Sequence, residues 1–221
     1  MGHTVLNQAR NTPLGGRYTT HNGIVRDVIN FAKTAGCSVS GSCAGILGPL
    51  PGTQSDVIAD GVITGMDGDT AGLLFDVSLI HNVSGVGIVK HRAHVTPGAC
   101  AGVREQEKNH RYTQGGFTAR QGYLFVAKAV ETYGYMGPDF ISFLRRLAAH
   151  AANNVDTLRL NERDTSKAYA GRLYTRWLRQ ISMTRARTVA DRLRGASVAS
   201  TQVIADAAAV QHAASIMTVP V

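Results

Sequence analysis

Leu73-Leu74-Phe75-Asp76-Val77-Ser78-Leu79-Ile80 is the stretch that decides the fold class. Its eight residues have the length and apolar character of a buried strand. The period of two sends Phe75, Val77 and Leu79 to one face and Leu74, Asp76, Ser78 and Ile80 to the other. An acid in the middle of such a strand is out of keeping with its neighbours, since an unpaired buried carboxylate is costly. The strand therefore announces both a sheet and a candidate site.

Working outward, Gly65 to Gly72, with Asp67-Gly68-Asp69, has turn chemistry, and Asp56-Val57-Ile58-Ala59 before it starts a short strand. The pair predicts a hairpin that brings the carboxylates of Asp56 and Asp76 side by side. Cys37 to Ser40 reads as another short strand. Upstream, Ile24, Val25, Val28, Ile29 and Ala32 make a helical stripe over 22–35, capped by Thr20 or Asn22 and stopped by Gly36. Downstream, Thr96-Pro97 opens a helix to about Tyr112. Arg104, Lys108 and Arg111 share one of its faces. Residues 122–130 predict a further strand, and Gly137-Pro138 opens a helix carrying Phe140, Ile141, Leu144, Leu147 and Ala148. Residues 155–217 read as helix with a break at Gly195-Ala196. Tyr169, Leu173, Trp177 and Ile181 form an apolar seam there, with Arg172, Arg176 and Arg179 on the other faces. The expected fold is an α/β core over residues 17–153 with a basic helical extension over 154–221.

Composition bounds the function. The 221 residues are 44% hydrophobic, enough for a real core. No run reaches the ~18 apolar residues of a membrane span, and the N-terminus lacks the pattern of a secretory signal. Three cysteines without metal spacing predict reduced thiols in an intracellular protein. Residues 1–100 carry six basic and six acidic residues, so the whole net charge of +8 lies after residue 100. Eighteen of the 23 basic residues are Arg. A basic half beside a neutral half suits a polyanionic partner, because each neutralised phosphate releases counterions.

Two adjacent aspartates repel each other, and a divalent cation removes that penalty. Hard oxygen donors of this kind suit Mg²⁺ or Mn²⁺. Lys108, one of five lysines, is the one on a helix face with two arginines.

Several motifs, in order, resemble one family. Thr20-His21-Asn22-Gly23-Ile24-Val25-Arg26-Asp27-Val28 looks like an "RHN/RHD" helix. Asp56-Val57-Ile58 looks like a "PD-h-h" strand, and Phe75-Asp76-Val77-Ser78-Leu79 like an "h-D-V-T/S-V" strand. Lys108-Asn109-His110-Arg111-Tyr112 is similar to "K-x-x-K-Y". Residues 124–134, followed by Gly137, are similar to a strand–helix segment carrying Glu131 and Gly134, and Trp177-Leu178-Arg179-Gln180-Ile181-Ser182 to the tail after it. Together, across residues 17 to 195, they resemble the restriction-endonuclease-like (PD-(D/E)XK) domain found downstream of reverse transcriptase in non-LTR retrotransposons.

The resemblance implies a mixed sheet flanked by helices and Mg²⁺-dependent (or Mn²⁺-dependent) DNA strand cleavage. It makes Asp56 and Asp76 the metal ligands. Ser78 stands where a D-x-K motif places lysine, so the resemblance assigns that role to Lys108. Arg104, Arg111, Arg172, Arg176 and Arg179 are expected to contact the nucleic acid. DNA is the expected partner, with RNA or a reverse transcriptase as further partners, no membrane, and a nuclear location. Two alternatives stay open: a nucleic-acid-binding module of the same fold without catalysis, and a structural subunit of a larger particle.

Overall fold

A computed structural model describes residues 15–41, 48–49, 59–66, 71–80, 95–113, 122–131, 134–154 and 166–217. Among these the chain is α/β, in the order α1 (Gly15–Thr34), β1 (Ser38–Gly41), β2 (Gly61–Thr64), β3 (Leu73–Ile80), α2 (Ala99–Thr113), β4 (Leu124–Glu131), α3 (Pro138–Asn154) and α4 (Ser166–Met217). The four strands form one mixed sheet in the order β1-β2-β3-β4. β1 to β2 and β2 to β3 are antiparallel, and β3 to β4 is parallel. The parallel pair needs a crossover, and α2 lies within it.

The alternation read in β3 sets the layers. Leu73, Phe75 and Val77 face the larger core with Ile24, Val28 and Phe31 of α1, Phe140, Phe143, Leu144 and Leu147 of α3, and Leu173, Trp177 and Ile181 of α4. Leu74 faces the opposite side with Val62, Phe125 and Ala127, covered by Tyr112 of α2. Asp76, in register with Ala127, follows Leu74 onto the α2 side of the sheet.

Helix α1 ends as the sequence indicates. Gly36 takes φ 83°, its N–H bonds the carbonyl of Lys33, and the Cys37 N–H bonds that of Ala32. This is the double hydrogen bond of a left-handed helix stop, which glycine adopts without strain. The start differs. The helix begins at Gly15, so Thr20 is an interior residue, buried, and its hydroxyl accepts a hydrogen bond from Arg185 at 3.3 Å. Tertiary packing overrides the local capping signal.

The compact unit that holds the sheet runs from Arg17 to Arg185, beyond the boundary expected at residue 153. The reason is the apolar seam of α4, which is core rather than extension. The Trp177 ring stacks on Phe31 with centroids 5.0 Å apart. Asp27 of α1, also buried, accepts hydrogen bonds from Gln180 (2.8 Å) and Thr184 (2.6 Å) of α4. Asp27→Ala is expected to destabilise this unit by about 2 kcal/mol, because it leaves two polar groups at a packed contact without their charged acceptor. The urea midpoint would fall with an unchanged slope. A second unit comprises Met1–Gly16 and Ala186–Val221. The break expected at Gly195-Ala196 is absent: α4 continues through it. One glycine costs a helix only ~1 kcal/mol, too little to end a long one.

Candidate metal centre

Asp76 reaches the site from β3 and Lys108 from α2. The Lys108 ammonium forms an ion pair and hydrogen bond with Oδ2 of Asp76. Both side chains are largely buried, 13% and 11% exposed. Of the three residues that share the helix face read in the sequence, Lys108 is the one turned to the sheet, whereas Arg104 is 42% exposed and Arg111 is exposed. Asp56 lies outside the described residues, and among those described the second carboxylate is Asp60.

The end of β2 explains the place of Asp60. The β2–β3 ladder starts at Gly61 opposite Phe75, and the Asp60 N–H still bonds the Phe75 carbonyl. Beyond that point β3 has no strand partner on this side among the described residues, and its Val77 N–H needs an acceptor. The Asp60 carboxylate supplies it, with Val77 N donating to Oδ2 at 2.6 Å. The same oxygen lies 3.2 Å from Nε2 of His21, in α1. His21, Asp60 and Asp76 each offer a ligand atom, and all three atoms lie within 4.8 Å of one another. This group could hold a metal ion: two hard carboxylate oxygens and one imidazole nitrogen converge, and together they suit a divalent cation.

The electrostatics follow from this crowding. The hydrogen bond that the His21 imidazole donates to Asp60, joined by the charge of Asp60, raises His21 above its ordinary value, against burial. Burial pushes the Asp60 carboxyl up, but the His21 hydrogen bond and charge and the Val77 N–H outweigh it, so Asp60 titrates below its ordinary value. Burial raises Asp76, and the neighbouring Asp60 adds to this. The Lys108 charge and hydrogen bond only partly offset the two. A site that disfavours its own second negative charge gains most from an added cation.

The other expected contact residues divide into two groups. Arg104 and Arg111 stay on α2 with Lys108. Arg104 pairs with Glu107 at 3.1 Å, and the exposed Arg111 guanidinium lies 5.9 Å from the Tyr112 ring centre. Arg172, Arg176 and Arg179 are exposed on α4 at i, i+4 and i+7, and with Tyr169 they line a shallow groove.

Sequence reasoning missed three residues. Asp60 was overlooked beside Asp56, because Gly61 separates it from the apolar pair Val62-Ile63 whereas Asp56 directly precedes Val57-Ile58. His21, at the expected opening of a helix, reads more readily as a cap or packing residue than as a group that orients a site carboxylate. Glu105 looks like part of a solvated helix pattern, yet it is 1% exposed. Among the described residues no helix is long and apolar enough to cross a membrane. No protein-family model matches the chain, and no curated protein matches it.

Proposed function

We propose that this chain is a metal-dependent nuclease that hydrolyses DNA phosphodiester bonds. The observation that carries the reading is the convergence of His21, Asp60 and Asp76, with the Lys108 amine on Asp76. The four-stranded mixed sheet flanked by helices, which the resemblance implies, supports it.

Asp60 and Asp76 would hold the ion, Mg²⁺ or Mn²⁺, with His21 as third ligand or as the group that orients Asp60. The imidazole nitrogen favours Mn²⁺ over Mg²⁺. When bound, the ion supplies Lewis-acid stabilisation of the phosphate and lowers the pKa of attacking water. Lys108 presents a fixed positive charge from the α2 side, where it offsets charge on the scissile phosphate or holds the water by hydrogen bonding. It does so in place of the residue two positions after Asp76, the buried Ser78, which carries no charge. Arg104 and Arg111 on the same helix, and Arg172, Arg176 and Arg179 on α4, would contact backbone phosphates without reading bases.

The test is nicking of supercoiled plasmid by the full chain in Mg²⁺ or Mn²⁺, with EDTA as control. The expected result is nicking that depends on metal, is faster in Mn²⁺, and weakens steeply with salt. Salt-sensitive DNA binding without nicking in either metal would overturn the proposal and leave a binding module.

A further inference from the structure

We propose that Glu105, with Asn109, is a positioning residue that sets the Lys108 amine against Asp76 by tying α2 to the outer edge of β4. The inference rests on the nuclease reading for its consequence, but its geometry stands without it.

Strand β4 is the last in the sheet among the described residues; its outer edge bonds the chain at Tyr135 through the Glu131 N–H, but the outer N–H groups of Ala127 and Ala129 face no strand. Side chains of α2 take that place. The Ala127 N–H donates to Oδ1 of Asn109 at 3.0 Å, and the Ala129 N–H to Oε1 of Glu105 at 3.0 Å. The two acceptors sit one helical turn apart, and the two donors are alternate residues of one strand edge. Helix and strand are thereby held in a single register.

Glu105 does more than cover the edge. Its two oxygens also accept the N–H groups of Asp139 (2.9 Å) and Phe140 (3.1 Å) in the first turn of α3, where a helix offers its own N–H groups no acceptor. Asn109 continues the link, its Nδ2 donating to Oδ2 of Asp139 at 2.5 Å. Gly137 makes room: a Cβ there would overlap the Glu105 carboxyl. At the other end of α2, Oε1 of Glu131 accepts the N–H groups of Cys100 (2.9 Å) and Ala101 (3.3 Å).

Lys108 lies between the two anchors, three residues after Glu105 and one before Asn109. A slip of α2 by one residue would rotate it by about 100° and carry the amine away from the sheet. Geometric error of this size is what positioning interactions prevent. Burial pushes the Glu105 carboxyl up to about 7, helped by the nearby charge of Asp139 and opposed by its three backbone donors. The experiment is therefore run at pH 8, where Glu105 is the full acceptor. Gln at this position turns an N–H group toward a donor.

The first measurement is lysine acetylation by acetic anhydride at pH 8, read site by site by mass spectrometry, on the full-length chain and Glu105→Gln. Lys33 and Lys167 are exposed, and Lys128 is fully buried. The expected result is at least a fivefold rise at Lys108 relative to Lys33 and Lys167, with Lys128 still protected. An unchanged Lys108, or Lys108 and Lys128 opening together, would overturn the proposal, because the first shows no positioning and the second only loss of structure. Where Glu105→Gln does not fold, Asn109→Ala carries the same measurement.

The second measurement is a cycle with Lys108→Met in the nicking assay. A residue acting through Lys108 adds no further loss once Lys108 is gone. Additive losses would overturn the positioning role. Absence of nicking by the unmodified chain would sink the proposed function and leave the acetylation result to decide the anchoring.

Discussion

Asp76→Asn is expected to lower nicking at least a thousandfold while leaving the protein folded. A thousandfold corresponds to about 4 kcal/mol of transition-state stabilisation, a reasonable loss for a residue that would lie against both the ion and the Lys108 amine. The substitution keeps the volume and removes the charge, so the site drops from two carboxylates to one and Lys108 loses its partner. The cost to folding is smaller. Asp76 already titrates above its ordinary value because burial opposes its charge, so removing that charge relieves part of the penalty. The released Lys108 side chain keeps 13% exposure and a route to water. Asp60→Asn provides the contrast. Asp60 also accepts the Val77 N–H at the end of β2, so its loss would weaken both metal binding and the sheet. Calorimetric titration with Mn²⁺ should show binding to the native chain and at least tenfold weaker binding to either variant. The urea midpoint should fall further for Asp60→Asn. Nicking that survives in Asp76→Asn would remove Asp76 from the chemistry.

The strand periodicity that placed Asp76 on its own side of β3 could be read from the sequence because burial enforces a strict period of two. Lys108 was legible only in part. A helix placed between β3 and a parallel β4 must turn a face to the sheet, but that face holds Glu105, Lys108, Asn109 and Tyr112, while Arg104 and Arg111 point to solvent. Asp60 was not legible because nothing local favours it over Asp56. What selects Asp60 is where the β2 ladder stops, and that is set by pairing with β3. Glu105 and Glu131 were misleading in the same way. In the sequence each is a charged residue in a helix or at a strand end. In the fold each is fully buried because it accepts backbone N–H groups from an element more than twenty residues away. Local pattern reports amphipathicity, whereas these acceptors answer to chain ends brought together by topology. The length of the core was misjudged because the arginines after residue 159 mark α4 as solvent-facing, although Trp177 and Ile181 on its other side are as buried as β3.

Lys128→Met is expected to stabilise the protein by about 2–3 kcal/mol at pH 7, the order of cost for burying a polar group without a hydrogen bond. Lys128 stands in β4 opposite Val77 and so points into the larger core, away from Asp76. It is wholly buried, and among the described residues its amine has no hydrogen-bond partner. The rings of Phe143 and Phe75 are its nearest company, with centroids 3.9 and 4.9 Å away. Burial drives its ammonium well below the ordinary lysine value, although the charges of Glu105, Asp76 and Asp60 oppose this. The sign follows. Between the lowered value in the folded chain and the ordinary value near 10.5, the unfolded chain binds the extra proton, so stability falls as pH drops through that window. Methionine has similar reach, binds no proton and suits an aromatic pocket. The gain from Lys128→Met should therefore be large at pH 7 and shrink toward pH 10, read as the difference in urea midpoint between variant and native chain at each pH. Nicking should be unchanged, because the sheet separates Lys128 from the metal centre. A loss of stability at pH 7, or a gain that does not vary with pH, would show that the amine is held by a favourable interaction and is not a neutral group enclosed by two rings.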